Sequence, residues 1–131
     1  NRDAVGQDLL AAATAAQGIW QRPEALGGAG RDFTATPGPG AAAANLAPLL
    51  NIPAPPGGVV GAVITNENGT YEVLAPEAAR LDIDVEPASW NYEMELRVCR
   101  YTDPDTDRAG WNYGIDYGDG TGTPRGSVDC D

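Results

Sequence analysis

Apolar and polar residues along the first 21 positions recur with a helical period. Val5, Leu9, Ala12, Ala16 and Ile19 are spaced four, three, four and three apart, which draws one seam down a helix. Leu10, Ala13 and Trp20 widen that seam, and Arg2, Asp3, Gln7, Asp8, Gln17 and Gln21 fall mostly on other faces. Alanine fills the middle and favours helix at each position. Pro23 has no N–H and disfavours helical backbone at Arg22, so the pattern predicts an end near Gln21. At ~1.5 Å per residue such a helix is ~30 Å long. Asn1 is placed either to cap it or to be the cut end of a longer helix.

From residue 23 to residue 58 the periodicity is lost among prolines and glycines, which forbid a long helix or strand. Only Ala41 to Leu50 allows a short helical turn, with Leu46, Leu49 and Leu50 toward the core. A connector of this length inside a small domain is unusual and often functional. From Val59 the period becomes two. VVGAVIT and TYEVLA flank Asn66-Glu67-Asn68-Gly69, and Asn-Gly between such runs signals a hairpin because both residues tolerate positive φ. Leu81, Ile83 and Val85 then alternate with acids until Pro87 ends the run. Trp90, Tyr92, Met94, Leu96 and Val98 alternate with Asn91, Glu93, Glu95, Arg97 and Cys99, giving the longest predicted strand.

One apolar face and one charged face describe an antiparallel sheet solvated on one side. The long helix is the obvious cover for the apolar face. The pattern therefore predicts an α+β fold: an N-terminal amphipathic helix on one face of an antiparallel sheet of about four strands. Val5, Leu9, Ala16, Ile19 and Trp20 are expected to pack on Trp90, Met94 and Leu96. One domain is expected, with the helix over 1–22, the connector over 23–58, the sheet over 59–101 and an acidic loop region over 102–131. Within the last, Trp111 to Tyr117 has the composition of a short edge strand.

Charge narrows the functional classes. The formal net charge is −11, from 19 acids against 8 arginines, with no lysine and no histidine. Such a surface repels nucleic acid and anionic membranes. A high-GC genome and life in high salt both account for arginine without lysine, and the two are compatible. Without His or Lys, general-base and Schiff-base chemistry lack their usual groups, so no enzymatic activity is expected. No apolar run reaches the ~18 residues that would span a bilayer.

Three features carry candidate chemistry. Asp103, Asp105 and Asp107 alternate in one short loop, followed by Asp116 and Asp119; such carboxylates can converge on Ca²⁺. An EF-hand loop is excluded, because Arg108 stands where its glycine is required. Against a calcium loop stands a plain solvated acidic loop in an acidic protein. Asn68-Gly69-Thr70 is an N-x-T sequon, though the hairpin alone explains its Asn-Gly. Trp111, Tyr113 and Tyr117 are candidates for an exposed contact surface. Cys99 and Cys130 are either a disulfide or two separate buried thiols. The position of Cys130, next to last, favours the bond, which would tie down the tail and stabilise by about 3–4 kcal/mol.

The N-terminal third also resembles a known family. Asn1-Arg2-Asp3-Ala4-Val5, Leu9-Leu10, Ala15-Ala16-Gln17, Arg22-Pro23, Leu26-Gly27-Gly28-Ala29-Gly30 and Phe33-Thr34 look like the post-membrane part of type IV pilin-like and pseudopilin proteins. The likeness is to a group from the Bacteroidota and their relatives, and it covers about a quarter of the chain. The late Cys99 to Cys130 loop is similar to the pilin pattern. The resemblance implies a soluble headgroup of an extracellular, cell-surface filament or secretion pseudopilus. Such a headgroup associates with further subunits and meets the membrane only through an apolar half-helix absent here. The competing expectation is a secreted or surface-anchored binding module organised by Ca²⁺.

Overall fold

The computed structural model describes all residues, 1–131. Helix α1 spans Arg2–Gln21. Its stripe is inside: Val5, Leu9, Ala12 and Ala16 have no exposed surface, and Ala13, Ile19 and Trp20 are buried. The helix stops where Pro23 requires, with Arg22 in extended backbone. Asn1 does not cap it. Its side chain instead donates to the Asn68 carbonyl at 2.7 Å and accepts from the Ser89 N–H at 3.1 Å, joining the start of α1 to two sheet loops.

The sheet has six strands rather than about four, in the order of the chain and antiparallel throughout. They are β1 (Val59–Val60), β2 (Val63–Asn66), β3 (Gly69–Val73), β4 (Arg80–Pro87), β5 (Met94–Thr102) and β6 (Ala109–Asp116). One extra strand arises because VVGAVIT is not continuous. Gly61 takes φ 58°, the left-handed region open to glycine, and folds Val60 back onto Val63. The other is the short edge strand expected over 111–117, which runs over 109–116 and pairs with β5 along its whole length, from Thr102↔Ala109 to Glu95↔Asp116. The sheet thus runs to residue 116 and not 101.

Two local expectations also change. The β2–β3 hairpin forms, with Asn66 paired to Gly69, so Glu67 and Asn68 are its central residues. Asn68 does not take positive φ. Gly69 is required by proximity: a Cβ there would lie 2.4 Å from the Glu86 carbonyl oxygen. Strand β5 starts at Met94, four residues after Trp90. β4 ends at Pro87, so residues 88–93 make the turn. Trp90 stands in that turn, half-buried against the core, and donates from Nε1 to the Tyr117 carbonyl at 2.8 Å. Tyr92 is exposed.

The inward face of the sheet carries Ile64, Tyr71, Leu81, Ile83, Val85, Met94, Leu96 and Val98, all 0–1% exposed. Helix α1 covers the β4–β6 half. The connector covers the rest. Its short helix α2 (Ala42–Leu46) and the following 3₁₀ turn (Ala47–Leu49) lie against α1 and β3, with Leu46 and Leu50 fully buried and Leu49 half-buried. Phe33 and Ile52 join the same core. The roof is therefore shared between a long helix and a proline-rich connector. No helix is long and apolar enough to cross a membrane.

Candidate functional site

The outward face of β4 and β5 is where charge concentrates. Alternation places Asp82 and Asp84 beside Arg97 and Glu95 across the ladder, through the pairs Asp82↔Arg97 and Asp84↔Glu95. Arg97 grips Asp82 with two parallel bonds, Nε to Oδ1 and Nη2 to Oδ2, both 2.9 Å. That geometry matches a guanidinium fork to a carboxylate. The Asp82 hydrogen bonds push the Arg97 guanidinium above its ordinary range, against desolvation, with the charges of Asp82, Glu77 and Glu95 adding to the rise.

A second arginine comes from the tail. Arg125, on a 3₁₀ turn (Arg125–Ser127), reaches back to Asp84 at 2.5 Å, Glu95 at 3.2 Å and Asp82 at 3.6 Å. The tail is held there by the Cys99–Cys130 disulfide, whose half-cystines are 31 residues apart. It is held also by Asp131, whose backbone N–H donates to the Arg100 carbonyl and whose carboxylate accepts from Thr102. Cys99 points outward from β5 yet has no exposed surface, because the tail lies over it.

Asp84, Glu93 and Glu95 bring carboxylate oxygens within 4.8 Å of one another, close enough to hold a metal ion. Partial desolvation, then the charges of Asp84, Glu95 and Glu86, hold the Glu93 carboxyl above its ordinary value, while Arg125 pulls it down. Two of the three carboxylates already face Arg125, so a cation entering here competes with that guanidinium.

The carboxylates expected from sequence to gather round Ca²⁺ do not meet. Asp103, Asp105 and Asp107 sit in the β5–β6 turn, while Asp116 and Asp119 lie at and beyond the far end of β6. An eight-residue strand at ~3.3 Å per residue holds the two groups more than ~20 Å apart. Several of these carboxylates serve their own turns. Asp103 accepts from the Asp105 N–H at 2.8 Å, and Asp116 from the Gly118 N–H at 2.8 Å. Asp119 accepts from the Thr121 hydroxyl and N–H and faces Arg2 at 3.6 Å. The Thr121 hydrogen bonds set its carboxyl below the usual range.

The sequon is engaged in structure. Asn68 Nδ2 donates to Asp8 Oδ2 at 3.0 Å. The same oxygen accepts from Tyr71 Oη at 2.5 Å and from Asn66 Nδ2 at 3.2 Å. Asp8 is thus a buried anchor between α1 and the β2–β3 hairpin, and pattern reading alone assigns it to the polar side. Its position three residues after Val5 and four before Ala12 was the available signal. Burial first, then Asp8, raises the Tyr71 hydroxyl far above its usual pKa.

The three aromatic candidates separate. Trp111 packs edge-to-face on Trp20, centroids 5.4 Å apart, and Arg100 lies over both rings at 5.0 and 5.4 Å. Tyr117 packs under Arg2, 4.2 Å from its centroid. Tyr113 alone is exposed, at 54%. Of the expected helix–sheet residues, Val5, Leu9, Ala16, Ile19, Trp20, Met94 and Leu96 are buried in one core and Trp90 borders it. No protein-family model, curated protein or solved structure matches the chain.

Proposed function

We propose that this chain is the globular head of a type IV pilin-like surface subunit, working by assembly rather than by chemistry. One observation carries the proposal: α1 lies along one face of a single antiparallel sheet, while the opposite face is covered by a disulfide-pinned tail. A head of this kind suits a subunit whose helix continues into a filament core and whose tail meets the exterior. A disulfide is in keeping with an extracellular setting.

Such a subunit needs an apolar helical stretch of about 20 residues N-terminal to Asn1 in the natural protein. Reading the natural gene upstream of Asn1 tests this. A short basic leader running into an apolar segment in helical phase with Val5 and Leu9 is the expected result. A plain signal peptide cleaved before Asn1 would overturn the proposal.

A secreted or surface-anchored module organised by Ca²⁺ is the second reading. The cluster of Asp84, Glu93 and Glu95 favours it, in place of the 103–119 loops. Calcium titration followed by thermal melting separates the two, since a metal-organised face gains melting temperature and loses the gain in Glu93→Gln.

A further inference from the structure

Charge is unevenly spread along this chain. From Phe33 to Asn66, 34 consecutive residues contain no Asp, Glu, Lys or Arg, although such residues make up 21% of the whole. α1 is likewise uncharged from Leu9 to Gln21. The fold puts the two stretches side by side. Pro48 and Leu49 line two adjoining surface grooves, of about 710 and 340 Å³. The larger runs between the 37–40 loop, α2 and the β1–β2 turn; the smaller runs between the 3₁₀ turn and the Thr14–Gly18 side of α1. Arg22 is the single charged residue lining either. Val59 lines the larger groove and is 38% exposed. By contrast, four of the seven residues lining the groove on the outer face of the sheet are carboxylates.

We infer that this uncharged face is a self-association surface, meeting the same face of a second copy about a two-fold axis. In a two-fold contact both sides are the same patch. A patch bearing acids would therefore meet acids, and like-charge juxtaposition costs several kcal/mol. On a chain with net charge −11, an uncharged apolar face is the surface that can be complementary to itself. A basic partner would instead be drawn to the carboxylate-rich faces. The extent is close to what a contact needs: seventeen residues line the two grooves together, against about 20–30 residues per side in a standard interface. A two-fold contact closes at two. It joins subunits in pairs and does not extend a filament, so it stands whether or not the filament proposal does. On a filament it would tie neighbours laterally.

Sedimentation equilibrium of the 1–131 domain, from micromolar to millimolar and at low and high NaCl, tests the inference. The expected result is a monomer–dimer equilibrium that closes at two and tightens with salt, as the mutual repulsion is screened. Pro48→Glu, at a residue that lines both grooves, is expected to weaken the dimer by roughly tenfold or more, with the melting temperature of the monomer little changed because Pro48 is exposed. Ser127→Glu adds the same charge on the tail, over the opposite face, and is expected to leave dimerisation as in the parent chain. A parent chain that stays monomeric throughout would assign the face to a different partner and overturn the inference. So would growth past two, a Pro48→Glu variant that dimerises normally, or equal weakening by both substitutions.

Discussion

At the scale of single residues, Asp8 is the most consequential side chain. It lies on the helix, yet its Oδ2 accepts from the β2–β3 hairpin three times, through Tyr71, Asn68 and Asn66. Asp8→Ala is expected to destabilise by about 2–4 kcal/mol, because it leaves a buried hydroxyl without its acceptor; urea unfolding measures it. Asp8→Asn should cost less, since an amide oxygen still accepts. Tyr71 adds a pH signature. Its hydroxyl keeps its proton in the folded state well beyond the ordinary value of 10.0. The folded state therefore holds a proton that the unfolded state loses, so stability is full below about pH 10 and falls as pH rises above it. Tyr71→Phe should flatten that alkaline limb. The apolar seam of α1 was legible because it repeats. Asp8 was not, since periodicity places a residue on a face but does not reveal which hydrogen-bond donors lie opposite.

Among the elements, the tail is the one held in place by cross-links. The Cys99–Cys130 bond fastens it, and Arg125 locks into Asp82, Asp84 and Glu95 beneath it. Gly114 on β6 lets it lie flat, since a Cβ there would come within 2.8 Å of Thr123 and Val128. Reduction is expected to cost about 3–4 kcal/mol, the closure entropy of a loop this size. Hydrogen exchange should then show residues 117–131 losing protection while α1 and β3–β5 keep theirs. Simultaneous loss across the sheet would contradict a tail that covers a core already complete. The strands β4 and β5 were legible from alternation, with Leu81, Ile83 and Val85 against Asp82 and Asp84. β6 was legible only as a short edge over 111–117, because Gly110, Asn112 and Gly114 weaken the strand signal, and Gly114 is there for the tail. The break in VVGAVIT was hidden because one glycine in a strand pattern does not announce its φ.

For the whole molecule, packing and charge divide the labour. The core is one cluster roofed jointly by α1 and the connector. The connector's burial of Phe33, Leu46, Leu50 and Ile52 was only partly visible beforehand, because its prolines and glycines erase the period that marks inward residues. Outside, acids occupy the sheet's far face while the connector side is uncharged. The five aspartates read as one calcium site do not converge at this scale: spacing along the chain was right for a loop, but β6 separates the two groups. A filament head needs a helix firmly seated on its sheet, a covered outer face, and neighbours. Immunogold electron microscopy of cells expressing the natural full-length gene, with antibody against the 1–131 domain, tests that claim most directly. Gold aligned along fibres that leave the cell surface is the predicted result; gold scattered over the envelope, or confined to the medium without fibres, would contradict it.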